Sequence, residues 1–416
     1  MEAKLNPSNF ALLHYKVHPN RRDRFDRLSA GFFGRVAALP DLHDDGDDPI
    51  DMTDLFSPVT YFCGDLSRLN GLSERDFSSM RPIEDLCYNV GISDNYVDIG
   101  EVPIDIHGIG VYYPEPFGDD DYYTKITNAH QFQALTESDK PGVSFRKGIY
   151  LTDVTAEGDS VGFRLLRCST NLDGSTENFR PVDSPIVEGT RALVRQSFTG
   201  AADVNHVLAQ TYENTITQGR EKKARIKRHS DKTKDMPGNG VIAFCSFYSP
   251  DLVEKAVKAA DDDWCHKNGS VLTRLRFRLK APGDSETTGN PETTPATDLP
   301  RMFEVILHPN SVFIIPLSTN RLYTHEIAPA SVPVSHLPTR LGYVIRSSTT
   351  QAVYRDGQTR VVTGDGTSTE QLTGPSERDV QELRDFYRQE NVSTERVHYG
   401  PVMYSLNKGD YMCPTL

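Results

Sequence analysis

The sequence predicts an α+β fold in which a strand-rich sandwich or barrel is flanked by helices and preceded by a large N-terminal mixed extension. Three observations point there. Short apolar runs recur at near-regular spacing from about residue 104 to 350, their separators are rich in Gly, Pro, Asp and Asn, and two segments alone carry clear helical signals. With 416 residues, 37% of them apolar and 25% charged, the chain can bury the core of one large domain or two.

Residues 1 to about 100 mix short apolar runs with acidic stretches such as Asp41 to Asp48 and hold no catalytic spacing, so they read as a support layer. From 104 to 200, GIGVYY, KGIYLTDV and VGFRLLRC have the pattern of antiparallel strands. VNHVLAQTYE, ARIKRHSD, VIAFCSFY, LTRLRFRLK, MFEVILHPNSVFIIPL and LGYVIRSS continue it, which favours a sandwich or barrel. The helical segments are SPDLVEKAVKAADDDW, with Ser249 as N-cap and Pro250 in the first turn, and PSERDVQELRDFYRQEN near the C-terminus. Residues 281–300 are poor in hydrophobes and read as a mobile insertion between two strands, and YRDGQTR (354–360) reads as a hairpin. The expected division is therefore a support region packed on the core (1–200), the core itself with its insertion (201–355), and a helical and β extension (356–416).

Composition excludes several classes. No run of about 18 apolar residues is present, so no spanning helix and no membrane partner is expected. The N-terminus lacks the basic-then-apolar pattern of a signal peptide, which places the expected compartment inside the cell, nucleus or cytoplasm. Six cysteines without a Cys-x-x-Cys pair point to free, mostly buried thiols. Trp264-Cys265-His266 has no ligand partner at useful spacing, His206 alternates with apolar residues as a packed strand histidine does, and glycine-rich phosphate loops are absent. A net charge of −13 repels polyanions at long range, so a polyanionic partner needs a local basic patch.

One constellation carries chemistry. His229-Ser230-Asp231 follows the strand-like stretch Ala224 to Arg228, and residues two apart on an extended chain project from one face, so imidazole and carboxylate can reach one ion together. His325 follows the apolar run VFIIPL and the segment STNRLYT. Two histidines and one carboxylate make the facial triad of non-haem Fe(II) oxygenases, which leaves coordination positions open for co-substrate and dioxygen. Arg340 then opens another strand, where a guanidinium can clamp a carboxylate through a bidentate pair.

NSVFIIPLSTNRLYTHEI (310–327) resembles the AlkB-like segment in which an apolar strand leads through Ser/Asn-Arg-Leu to the second iron-binding histidine. Arg340-Leu-Gly-Tyr-Val-Ile-Arg346 looks like the AlkB signature of two arginines six apart, with Gly342 where that pattern usually carries Asn, and LPTRLGYVIRSS is similar to a strand of the TET/JBP branch. The resemblance, which covers roughly residues 204 to 350, implies a double-stranded β-helix (jelly-roll) core with iron on His229, Asp231 and His325. It further implies that Arg340 binds the C5 carboxylate of 2-oxoglutarate, that Arg346 lies near its C1 carboxylate, that Tyr212 also touches it, and that Asp235 lies near the substrate. The resemblance further implies that 2-oxoglutarate and O2 are consumed on a bound Fe(II), with ascorbate as reductant or, as in an algal type within the TET/JBP branch, as co-substrate.

The segment from Gly219 to Lys234 carries eight basic residues against Glu221 and Asp231 and runs straight into the metal ligands, Lys227 and Arg228 included. A phosphate backbone could rest there while a base is flipped toward the iron. The leading expectation is therefore oxidation of a methyl group on a nucleic-acid base, either a 5-methylcytosine-type modification or an N-methyl lesion, with DNA ahead of RNA. A hydroxylase of a small metabolite or protein side chain, and a catalytically silent barrel that only binds, are the other readings.

Overall fold

The computed structural model describes residues 2–39, 57–67, 80–89, 95–137, 146–261, 270–280, 299–328, 330–364, 366 and 368–416. The acidic stretch 41–48, Trp264-Cys265-His266 and positions 281–298 of the expected insertion lie outside them. The architecture is mixed and strand-dominated, with six helices among the described residues.

Ten strands position the site: β1 (Gly110–Tyr113), β2 (Arg146–Thr152), β3 (His206–Tyr212), β4 (Ile226–His229), β5 (Val241–Tyr248), β6 (Arg274–Leu279), β7 (Met302–Ile306), β8 (Ser311–Pro316), β9 (Tyr323–Ala328) and β10 (Arg340–Arg346). A long sheet runs β2-β3-β10-β5-β8-β1, and a smaller one runs β4-β9-β6-β7. From β3 onward the chain crosses between the two sheets, with β6 and β7 the one consecutive pair that stays in the same sheet.

Burial explains the sequence pattern. Every residue of β3, β5 and β8 is buried, so these strands read as continuous apolar runs; β7 shows the alternation of a strand with one wet face. Between the sheets Ile242, Phe244, Phe313 and Ile315 meet Leu275, Phe277, Phe303 and Tyr323. On the other face of the long sheet Val207, Ala243, Ile314, Leu341 and Ile345 pack with Ile186, Val187 and Val194 of the helix Asp183–Ser197.

The stretch from 104 to 200 is not sheet throughout: it also holds the helices Tyr122–Ala129 and Asp183–Ser197. In the second, Ile186, Thr190, Val194 and Ser197 recur at helical spacing on the buried side, although their β-branched content resembles strand sequence. The helices read from sequence form over Leu252–Asp261 and Glu377–Val392; the latter starts on a capping box between Ser376 and Asp379. The Asp356-Gly357 turn has positive φ at both positions and joins Arg355 to Gln358 in register, as a two-residue hairpin requires.

The N-terminal region does not stand apart from the core. β1 pairs with β8 and β2 with β3, so strands from the first 200 residues extend both edges of the sheet that carries Arg340 and Arg346. Similarly, Thr350–Arg355 pairs with Ser160–Leu165 in a five-stranded sheet. Cys63, Cys87, Cys168, Cys245 and Cys413 are free thiols, and no helix among the described residues is long and apolar enough to cross a membrane.

Candidate active site

β4 ends on His229 and pairs with β9 so that His229 stands directly across from His325. Asp231 lies just beyond the strand end, and one potential ligand atom from each of the three side chains falls within 4.8 Å of the other two. Asp231 Oδ1 is 3.4 Å from His229 Nε2 and 3.6 Å from His325 Nε2. Phe244 and Phe277 flank the His325 ring, with centroids 5.3 and 5.6 Å away, and so fix its orientation.

The hydrogen bonds argue for a cation. His229 Nδ1 lies 2.8 Å from the Lys227 carbonyl, which can only accept, so Nδ1 carries the proton. In its neutral form the ring then aims its Nε2 lone pair at a carboxylate oxygen that also only accepts. Burial, with the charge of His229 added, pushes His325 down to about 4, so this ring is neutral near pH 7. Burial alone would raise the Asp231 carboxyl, but the Arg346 guanidinium, together with the His229 and His325 side chains, outweighs it and holds the group well below the usual carboxylate range. The Nε2 atoms of both rings and Asp231 Oδ1 thus lie together, and a bound metal ion would give all three a common partner. Cis ligands about 2.1 Å from an ion lie roughly 3 Å apart, close to the observed spacings.

These residues line a cavity of about 460 Å³ that also contains Tyr212, Arg340 and Arg346. Cross-strand register places Tyr212 beside Arg340, and the guanidinium carbon sits 4.3 Å from the ring centroid. Arg340 Nη1 donates to Ser246 Oγ at 3.0 Å, while its Nε is buried without a hydrogen-bond partner. Arg346 donates from Nε and Nη2 to Asp231 Oδ2, at 2.8 and 2.6 Å, and leaves Nη1 unpaired; Gln210 Nε2 is unpaired as well. Unsatisfied buried donors cost about 1–3 kcal/mol each, so this set fits a dicarboxylate that would satisfy it. Gly342 has a local reason: a Cβ there would lie 3.1 Å from both Arg340 Nη2 and Tyr212 Cε2, so only glycine leaves the stacked pair undisturbed.

Other sequence-based expectations need correction. Asp235 is buried outside the cavity lining and accepts from Arg167 (2.7 Å), Lys234 (3.1 Å) and Thr350 (2.8 Å); it ties the chain after Asp231 to the segment between two strands at Arg167 and to the start of the strand Thr350–Arg355. The basic run is not one solvated patch either. Lys234 turns inward to Asp235, and Lys232 donates to the Tyr387 carbonyl and to Asn391, whereas Lys227 and Arg228 are exposed and line the cavity. His206, by contrast, is the packed strand histidine that the sequence predicts, pushed down to about 3 by burial.

Sequence reasoning missed Ser246, Arg146 and above all Asn391. The Asn391 Oδ1 accepts from the Ser230 N–H at 2.9 Å and from Lys232 Nζ at 2.8 Å, so the C-terminal helix holds the peptide between two metal-ligand candidates. Asn391→Leu is expected to cost about 1–3 kcal/mol, because it strands the Ser230 peptide N–H and takes one acceptor from the buried Lys232 ammonium. Thermal unfolding together with Fe(II) titration checks this: weaker metal binding is expected alongside the lower Tm, and an unchanged Fe(II) affinity refutes the positioning role.

No family model matches the chain, and no curated protein matches it. Among solved structures it is similar to a Pseudomonas putida prolyl-4-hydroxylase (10% identity, 54% of this chain and 82% of that one, TM-score 0.26). It is also similar to OsALKBH1 (13%, 57% and 96%, TM-score 0.30) and to SnoN, a non-haem α-ketoglutarate-dependent epimerase from nogalamycin biosynthesis (14%, 41% and 61%, TM-score 0.22). The donor geometry of the cavity carries the functional reading.

Proposed function

We propose that the chain is an Fe(II)- and 2-oxoglutarate-dependent oxygenase whose β3 to β10 form a double-stranded β-helix, and that it oxidises a methyl group on a nucleic-acid base, DNA ahead of RNA. One observation carries the reading. Three candidate metal-ligand atoms within 4.8 Å of one another share a single cavity with Arg340, Arg346 and Gln210, each of which keeps an unsatisfied buried donor. The strand alternation between two facing sheets supports the β-helix. The core of residues 201–355, the support region before it and the extension after it remain the proposed division.

When bound, Fe(II) with 2-oxoglutarate supplies the oxidation of a C–H bond by O2, with succinate and carbon dioxide as co-products. The chain does the rest. His229, Asp231 and His325 would hold the ion from one side. Arg346 anchors Asp231 in its rotamer and has Nη1 left for a carboxylate; Arg340, backed by Ser246 and the Tyr212 ring, would take the other end of the co-substrate. Leu208, Phe244, Leu275 and Val344 exclude water from the same cavity. Ascorbate enters as reductant or co-substrate.

Succinate formation from 2-oxoglutarate with Fe(II) and ascorbate, across oligonucleotides carrying 5-methylcytosine or N-methyl bases, tests the proposal. Arg340→Ala is expected to raise the KM for 2-oxoglutarate roughly 10- to 100-fold, from about 1.5–3 kcal/mol for a charge-assisted bond, and a KM indifferent to Arg340 sinks the assignment. Turnover that no oligonucleotide stimulates moves the substrate to a metabolite or a protein side chain. Absence of iron-dependent turnover leaves a silent binding barrel.

A further inference from the structure

The cavity wall is far more cationic than the chain that builds it. Its lining holds eight lysines and arginines against one carboxylate, Asp231, in a chain of net charge −13. A divalent cation and a dicarboxylate dianion cancel, so loading the site as proposed leaves this excess in place. Arg340 and Arg346 lie beside the ligands, Arg146 stands across from Tyr212 on β2, and Lys232 is consumed by the Tyr387 carbonyl and Asn391. Lys227 and Arg228 on β4 and Arg384 and Arg388 on the C-terminal helix have no role in holding iron or co-substrate.

Arg384 and Arg388 are one turn apart, hence on the same helix face, and Asn391 continues that face toward the metal loop. Arg388 pairs with Asp385 at 2.7 Å, but the two side chains are 72% and 48% exposed. An ion pair that wet is worth under about 1 kcal/mol, so a stronger anion can recruit the guanidinium. We propose that Arg384 and Arg388, together with Lys227 and Arg228, form a clamp for the phosphodiester backbone of a nucleic-acid strand at the mouth of this cavity. The C-terminal helix is then a substrate-binding element as well as a support for the metal loop. This rests on the nucleic-acid reading given above and names the residues that would impose it.

The test is fluorescence anisotropy with a labelled single-stranded oligodeoxynucleotide and the full chain, over a range of salt concentrations. R384E/R388E is expected to weaken binding by roughly tenfold or more and to flatten the log–log salt dependence by about 1.4, the value for two lost phosphate contacts on a single strand. R355E/R360E makes the same change in net charge outside the cavity wall and is expected to leave binding near wild type. Equal losses in the two variants, or no loss in either, overturn the clamp. So does competition by polyglutamate as effective as that by the unlabelled oligonucleotide, since it assigns the cations to an acidic peptide. If charge reversal prevents folding, R384Q/R388Q carries the same comparison with half the change in charge. Succinate formation by the wild type with and without methylated oligonucleotide is measured in parallel: its absence in both removes the oxygenase reading, whereas binding alone decides the clamp.

Discussion

Asp231→Ala is expected to abolish iron-dependent succinate formation and to lower Fe(II) affinity by at least about 100-fold, a loss that changes outside the ligand shell alone can reach. The same substitution destabilises the fold. Asp231 Oδ2 accepts two bonds from Arg346 in a place where both side chains are 8% exposed, so alanine leaves a guanidinium buried without its counter-ion. Breaking a buried pair from one side costs about 3–5 kcal/mol. Stability and metal binding can be separated, because replacing both partners removes the stranded charge. Asp231→Ala with Arg346→Met should recover much of the lost Tm and none of the Fe(II) affinity. Calorimetric Fe(II) titration under anaerobic conditions, with thermal unfolding of both variants, is the measurement. An Asp231→Ala chain that binds Fe(II) like the wild type reduces His229, Asp231 and His325 to a charge network.

The parts of this site that could be read in the sequence are those whose chemistry is local. His229 and Asp231 are two residues apart at a strand end, and Arg340 and Arg346 share one strand whose period of two sets them on the same face. The histidine across the strand pair, His325, could be found because the apolar β8 announces the strand that follows it. What stayed hidden depends on packing between distant segments. Nothing local to Asn391 shows that its amide will meet the Ser230 peptide N–H, and nothing around Ser246 shows that its hydroxyl will back Arg340. The basic run misled for the same reason. Lys232 looks like a solubilising charge, yet it is buried as a donor to the Tyr387 carbonyl and Asn391 of the C-terminal helix; outside the run, Lys280 is likewise buried as a donor to the Glu390 and Ser393 carbonyls at the end of that helix. Gly342 departs from the resembled pattern on paper, and the structure gives the reason: Tyr212 and Arg340 occupy the space its side chain would need.

The long sheet is also held from behind, and there the structure makes its second large prediction. His130 is fully buried, with Nδ1 2.9 Å from Glu177 Oε2 and Nε2 2.8 Å from Asp183 Oδ2. Asp183 also accepts from the Tyr343 hydroxyl at 2.7 Å and from the Arg180 N–H at 2.7 Å. Both ring nitrogens face carboxylates, so both must carry protons, and the imidazolium is the form that fits. Burial by itself would lower the pKa of His130; the bonds and charges of Asp183 and Glu177 overcome it and raise it above the ordinary 6.5. A group raised on folding adds stability that is complete below its unfolded pKa and is lost as pH climbs through the folded one. Wild-type Tm is therefore expected to fall from about pH 6.5 upward by an amount that His130→Gln does not show. His130→Ala should cost about 3–5 kcal/mol near neutral pH, since it leaves two carboxylates facing each other across a void. Tyr343 lies between Arg340 and Arg346 on β10 and points to the opposite face, so this cluster steadies the strand that carries both arginines. Parallel Tm–pH curves for wild type and His130→Gln would overturn the imidazolium assignment.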